Sequence, residues 1–396
     1  MAEIPGTSVL AIASHVAYGY VGNTMATFVM QSLGLEVSAI NTVEYSNHTA
    51  YKQVKGRKTP ADEITELYDG LKQSYLNDFD MMLSGYCPSA EVVQAVGKIA
   101  RDLRFNAMTK PGSFFWALDP VMGDEGRLYV SSDIVPAYKA LLNDADLILP
   151  NQFEAELLSD TKITDISSLT HAITLLHRIY RLTHIVITSL RLSVDNVPSR
   201  TETLSVVGST MRSDLSPRLF RIDVPAFPCF FSGTGDMFAA LTVARLREAA
   251  LKAGLDHTAH WQSSDSVAPT NLPLAEATEK VLASMQSVLR KTMTARDKEI
   301  HRLEKVQSPG GVNSLNEGTG EEGVRDRQLK QHLRETKAAE VKVVSNVRDL
   351  VHPPVDEVYR AVAVEGKEAD PGTGDALPDE LGVVKVGGGE GATHQT

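Results

Sequence analysis

Short apolar runs recur along the chain, separated by stretches whose apolar residues repeat at helical spacing. Val9–Ala13, Val37–Val43, Met81–Ser84, Phe114–Leu118 and Leu147–Leu149 read as buried strands. Between them Gly22–Leu33, Asp62–Gln73, Ala90–Leu103 and Ser132–Leu142 read as helices, and a helix over Ser168–Tyr180 leads into the strand HIVITS, which ends at Ser189. This alternation predicts an α/β fold, a mostly parallel sheet with helices on both faces and right-handed crossovers. After Ser189 the pattern changes, and TLSVVGS and LFRIDVP read as two antiparallel strands. Lys252–Asn271 is polar and reads as a loop, and Leu274–Thr294 as a helix. Ser308–Arg327, rich in Gly, Asn and Glu and without an apolar period, is expected to be disordered. VKVVSNVRDL and VYRAVAVE alternate and are expected to close the sheet edge, while the Gly-rich acidic stretch from Gly366 is expected to be a disordered tail. The expected organisation is a core over 1–300, an insertion over 301–335, terminal strands completing the core over 336–365 and a tail over 366–396.

Composition narrows the function classes. Of 396 residues, 42% are hydrophobic and 22% charged, which suits a globular protein with a sizeable core. The balance of 39 basic against 50 acidic residues, a net charge of −11, argues against a nucleic-acid surface, whose affinity comes largely from Lys and Arg meeting phosphate, so no nucleic-acid partner is expected. Cys87 and Cys229 are the only cysteines, too few for a disulfide framework or a zinc spacing, so a reducing, cytoplasmic setting is expected. The opening MAEIPGTSVLAIASH lacks a basic region followed by a long apolar stretch, and no apolar run approaches the roughly 20 residues that span a bilayer, so neither a secretory signal nor a membrane partner is expected. Gly318–Gly323 matches the dinucleotide fingerprint but follows no strand and opens no apolar helix, and no P-loop motif occurs.

Candidate chemistry lies where the strands end. In parallel sheets ligands bind beyond the carboxyl ends of the strands. Ser14, Asp119, Asn151 and Thr188 each follow an apolar run directly, so they are expected on one rim. FFSGTGDMFAALTVARL breaks its apolar run with Gly233-Thr234-Gly235, where both glycines permit a backbone that would strain other residues. Phe238, Leu241 and Val243-Ala244 then share one helical face, which puts Asp236 in a first helical turn, where free N–H groups favour an anion such as phosphate. Plain helix capping by Asp236 is the alternative. In DPVMGDEGRLYV, Asp119 ends a strand and Gly123-Asp124 with Gly126 makes an acidic loop, although both are also common turn chemistry. In LILPNQFEAELL, Asn151 and Glu154 share a helical face; Asn151 alone reads as an N-cap, whereas the pair can hold hydrated magnesium. Phosphoryl transfer needs a cation, donors for the phosphates and a base for the attacking hydroxyl. Asp236 can be that base, the amides of Gly233 to Gly235 the donors, and Glu154 and Asp124 the metal holders.

Six motifs in order carry a resemblance: SHVAYGYVGN (Ser14–Asn23), NTVEYSNHTAY (Asn41–Tyr51), SGY (Ser84–Tyr86), DPVMGD, LPNQFEAELLS and GTGDMFAA. From about Val9 to about Thr294, and again at VVSNVRDL, the chain resembles the pyridoxal kinase family of ribokinase-like small-molecule kinases. The resemblance implies a ribokinase-like fold and ATP-dependent phosphorylation of the 5′-hydroxymethyl group of pyridoxal, with pyridoxine and pyridoxamine as further B6 vitamers. It implies that Ser14 and Thr49 contact the ring substituents and that Val43, Tyr45 and Tyr86 wall the ring, ordinary core packing being the alternative for those three. It makes Asp236 the catalytic base beside the Gly233-Thr234-Gly235 amides and places Asp119, Asn151, Thr188, Ser189 and Thr234 on the ATP side, with Tyr129 in the loop over ATP. Asp124 and Glu154 match the metal side, with Mg2+ as cofactor and K+ or Na+ near Asp119, Leu149 and Thr188, and a homodimer is the implied assembly. Glu125-Gly126 follow Gly123-Asp124 at once, so the loop over ATP is shorter than in animal members, and FPCFF departs from the animal pattern near the adenine. Two other readings are a hydroxymethylpyrimidine kinase and a catalytically silent pyridoxal phosphate-binding protein. Ser14-His15 with Asn47-His48-Thr49 counts against the first, and the joint presence of Asp236, Glu154, Asn151 and Asp119 against the second.

Overall fold

Alternation of two apolar sets along each strand sends side chains to both faces of one sheet. The computed structural model describes residues 6–191, 203–307, 321–354 and 359–364, all within one compact unit that ends at Gly366. Its strands are β1 (Ser8–Tyr18), β2 (Glu36–Asn47), β3 (Gly56–Lys58), β4 (Met81–Ser84), β5 (Phe115–Leu118), β6 (Gly123–Asp124), β7 (Arg127–Leu128), β8 (Leu147–Ile148), β9 (His184–Leu190), β10 (Thr203–Thr210), β11 (Leu219–Pro225) and β12 (Val362–Ala363). The helices are α1 (Gly22–Ser32), α2 (Ala61–Gln73), α3 (Ala90–Asn106), α4 (Ile134–Lys139), α5 (Gln152–Ser159), α6 (Ile166–Tyr180), α7 (Thr234–Lys252), α8 (Pro273–Gln307), α9 (Glu321–Ala338) and α10 (Val347–Val351).

Among the described residues the main sheet has the order β12-β11-β10-β9-β8-β5-β4-β1-β2-β3, and β6 with β7 forms a separate hairpin. The central run β9-β8-β5-β4-β1-β2 is parallel throughout, while β10, β11, β12 and β3 add antiparallel edges. Val9, Ala11, Met81, Leu83, Phe115 and Ala117 face α1, α7, α8 and α10, whereas Leu10, Ile12, Met82, Trp116 and Leu118 face α2 to α6. The expected α/β architecture with helices on both faces is present.

Three local expectations are corrected. The helix after the Gly-Thr-Gly turn is not amphipathic: Met237 to Leu246 are all buried, because α7 lies between α1, α8 and the sheet. VKVVSNVRDL is not a strand. Val341 and Val343 insert into the core beside Leu350, and Val344–Asn346 and α10 are helical turns, so among the described residues only Val362–Ala363 extends the sheet from this region. Part of the expected disordered insertion is helix, since α8 continues to Gln307 and α9 starts at Glu321. Residues 308–320 and the expected tail from Gly366 lie outside the described residues.

Candidate active site

The carboxyl ends of the central strands build one rim by continuing the sheet hydrogen bonds. Asp119 N donates to Ser84 O, Leu149 N to Leu118 O and Thr188 N to Pro150 O, and Asn151 bridges Thr188 in parallel. Asp119, Asn151 and Thr188 are thereby neighbours at consecutive strand ends. Beside them the β1–β2 register slips: Ala13 pairs with Asn41 but His15 with Glu44, an extra residue on β2. Polar side chains fix this irregularity. Asn23 of α1 donates to Ala13 O, Ile40 O and Asn41 Oδ1, Asn41 donates to Glu44 Oε1, and His15 Nδ1 lies 2.8 Å from Glu44 Oε2. The signal of His15, Asn41 and Glu44 in the sequence is polarity within strands, and that of Asn23 is a buried polar residue in the first turn of α1.

The Gly-Thr-Gly-Asp segment turns sharply into α7. Gly233 is the N-cap with φ +80, and a Cβ there would strike the carbonyl oxygen of Tyr20. Gly235 is different. It lies inside the first turn with no left-handed φ, and a Cβ there would stand 4.0 Å from Asp119 Oδ2. Only one of the paired glycines is therefore required by the backbone, and the other keeps open the space facing Asp119. The N-cap itself, a glycine, supplies no side-chain bond, so the acid of this turn is Asp236. Its carboxylate meets the backbone N–H groups of Gly22 and of its own residue, while burial outweighs them and raises its pKa above the usual carboxylate range. Gly22 itself packs so closely on Ser14 that a side chain would strike Ser14 O and Oγ. Ser14, Gly22 and Asp236 thus meet at one point. Thr234 Oγ1 is 3.5 Å from Phe231 O, a contact too long to commit its hydroxyl.

Asp119 faces this turn, Glu154 lies beside Asp119, and Asp124 beside Glu154. Burial pushes Asp119 well above the usual range, reinforced by Glu154 and Asp236. Glu154 is pushed up to about 7 by burial, against the pull of backbone N–H groups of Asn151, Met122 and Gly123. Its Oε2 accepts from Asn151 N at 2.9 Å and its Oε1 from Met122 N at 2.8 Å and Gly123 N at 3.3 Å. Asn151 Oδ1 accepts in return from Glu154 N, a capping box, and Asn151 Nδ2 donates to Gly123 O at 2.7 Å. The two residues clamp the start of α5 to the loop after β5. That loop forms the β6–β7 hairpin, closed by Glu125 and Gly126 at φ +47 and +78, the signature of a two-residue type I′ turn. Asp124 is part-buried there, its Oδ1 accepting from Glu125 N, and Tyr129 is 60% exposed beyond it. No set of three His, Cys, Asp or Glu arranged to hold a metal directly occurs among the described residues. The donor set still fits a hydrated cation, because Asp119, Glu154 and Asp236 crowd together without an ion-pair partner among the described residues.

The ring-side candidates surround the far end of the rim. Val43 is fully buried yet joins neither apolar core. Tyr45 and Tyr86 are half-buried, and burial together with Tyr45 raises the Tyr86 hydroxyl. Thr42 Oγ1 donates to Tyr86 O at 2.7 Å and ties their two segments together. Thr49 stands exposed in the helical turn Thr49–Tyr51, and Ser189, at φ +57, is exposed at the end of β9. The structure thus joins Ser14, Asp119, Asp124, Asn151, Glu154 and Asp236 through contacts, and leaves Thr49, Tyr129 and Ser189 open around them.

A family model described as phosphomethylpyrimidine kinase matches residues 37–256. The sheep and human pyridoxal kinases are each 36% identical over 294 residues, covering 72% of this chain and 85% of theirs. The structure of pyridoxal kinase from Leishmania donovani with ADP and pyridoxamine superposes with a TM-score of 0.67 at 28% identity, covering 90% of this chain and 98% of that one. The same enzyme has been seen with ADP and pyridoxine. With relatives at that level of identity over most of both chains, the chain belongs to the pyridoxal kinase family.

Proposed function

We propose that the chain transfers the γ-phosphoryl group of ATP to the 5′-hydroxymethyl group of pyridoxal, and of pyridoxine and pyridoxamine, giving the 5′-phosphate and ADP. The observation that carries this reading is Asp236: an acid in the first turn of α7, recessed beside Ser14 and Gly22 and facing Asp119 across the turn. Its raised pKa suits a base for an alcohol proton. The vitamer ring lies between Ser14, Thr49, Val43, Tyr45 and Tyr86, and its hydroxyl reaches Asp236. The N–H groups of Gly233, Thr234 and Gly235 receive the phosphoryl oxygens in a water-poor turn, where fixed donors count for most. Asn151, Thr188, Ser189 and Thr234 hold the nucleotide and Tyr129 covers it. Magnesium, when bound by Asp124 and Glu154 through retained waters, supplies the positive charge that the phosphates require. K+ or Na+ near Asp119, Leu149 and Thr188, a homodimeric assembly and a cytoplasmic setting complete the proposal. Among the described residues no helix is long and apolar enough to cross a membrane.

The matching family description favours a second substrate, hydroxymethylpyrimidine, on the same turn and base. A coupled assay with magnesium-ATP, offering pyridoxal and hydroxymethylpyrimidine side by side, separates the two. We expect phosphorylation of pyridoxal, and a loss of turnover by about 10²–10⁴-fold or more in Asp236→Ala with ATP still bound. Turnover of the pyrimidine alone overturns the substrate, and near-normal turnover of the variant overturns the base.

A further inference from the structure

We propose that Glu340, on the segment that follows α9, is a positioning residue for the vitamer site: it clamps the His48–Tyr51 turn and the β1–α1 loop to each other. This rests on the reading of the site as a B6-vitamer kinase.

Glu340 is buried and far from the site in sequence, yet its Oε1 lies 2.9 Å from His48 Nε2 and accepts from Tyr51 Oη at 2.8 Å. Both donors flank Thr49, the exposed hydroxyl expected to meet the ring. The other nitrogen of the His48 ring, Nδ1, is buried and has no partner among the described residues, so Glu340 alone sets the orientation of this imidazole by hydrogen bonding. His332 of α9 adds a second tie, its Nε2 lying 2.8 Å from Ala50 O.

The same carboxylate reaches the other side of the site. A Cβ on Gly19, at φ +101, would lie 2.9 Å from both Glu340 oxygens, and the Tyr20 N–H also donates to it. Burial works to raise the Glu340 carboxyl, but the bonds from His48 and Tyr51, with that of Tyr20, hold it below its usual range as a carboxylate. The carbonyl of Tyr20 in turn packs on Gly233, and Gly22 on Ser14. One buried charge therefore sits beneath both segments that carry the ring contacts. A merely structural anchor for the C-terminal segment would have no reason to converge on them.

Steady-state assays of the full chain, varying pyridoxal and ATP in turn, test the proposal together with hydrogen exchange of the resting protein. In Glu340→Ala we expect the KM for pyridoxal to rise about tenfold or more while that for ATP stays within about twofold. Glu340→Gln keeps an acceptor oxygen without the charge and should fall between the two. Amides of residues 48–52 should exchange faster in Glu340→Ala, and those of β4 and β5 at the wild-type rate. Equal changes in both KM values, or unchanged exchange at 48–52, overturn the clamp. Wild-type protein that leaves pyridoxal untouched, with exchange at 48–52 still responding to Glu340→Ala, upholds the clamp and overturns the substrate reading instead.

Discussion

Gly233 and Gly235 stand two residues apart in one turn, yet alanine costs something different at each. At Gly233 the left-handed φ costs an L-residue about 1–2 kcal/mol, and the new methyl strikes the Tyr20 carbonyl besides. Gly233→Ala should lower both the melting temperature and turnover. At Gly235 the backbone is helical and the methyl enters open space toward Asp119, so Gly235→Ala should melt no lower than wild type, alanine being favoured over glycine in a helix by about 1 kcal/mol. Its turnover should nonetheless fall, because the methyl would enter the place proposed for the transferring phosphoryl group. Thermal melts beside kcat separate the pair, and a Gly235→Ala enzyme with full turnover contradicts the placement. The letters of the sequence show two glycines but not the sign of φ at either. That sign depends on where α7 begins and on a carbonyl from the other end of the fold. Glu340 was invisible for a related reason: nothing local marks a glutamate whose partners, His48 and Tyr51, lie 292 and 289 residues away.

At the scale of elements, Glu154 and Asn151 join α5 to the β6–β7 hairpin. Glu154→Gln replaces one accepting oxygen by an NH2 group, which leaves either Asn151 N–H or the Met122 and Gly123 N–H groups facing a donor. An unsatisfied buried group costs about 1–3 kcal/mol, so the hairpin should loosen. We expect faster limited proteolysis within 123–128 and a higher KM for ATP. Proteolysis at the wild-type rate in the apo protein would mean that the clamp does not hold the hairpin. The parallel strands and their helices were legible because buried strands and amphipathic helices leave distinct periods. α7 reads as one-faced from its sequence, since its small and polar members, such as Ala240 and Thr242, are buried by neighbours that a local pattern does not reveal. VKVVSNVRDL was misread for the opposite reason: its valines have the local character of a strand, and packing against the core overrode it.

For the whole molecule, stability should depend on two buried histidines. His177 Nδ1 faces the Leu182 carbonyl and His184 Nε2 the His260 carbonyl, so each ring donates there and accepts at its other nitrogen, from Ser209 and Thr210. Both are neutral, and burial lowers each pKa to about 4 from 6.5. A lowered histidine pKa means that the unfolded chain binds the proton first, so their contribution is complete above pH 6.5 and is lost as the pH falls from 6.5 toward 4, by about 3 kcal/mol each. Denaturant midpoints measured across that window should fall steeply, and less steeply in His177→Gln; identical slopes would contradict the assignment. The contact between Tyr20 and Gly233 has a consequence of another kind. It joins the first crossover of the fold to the last long one, and closing so large a loop is entropically unfavourable until the intervening sheet holds its ends together. The place proposed for the phosphoryl group therefore needs both ends of this long loop before it is complete. No fragment that stops short of α7 contains it.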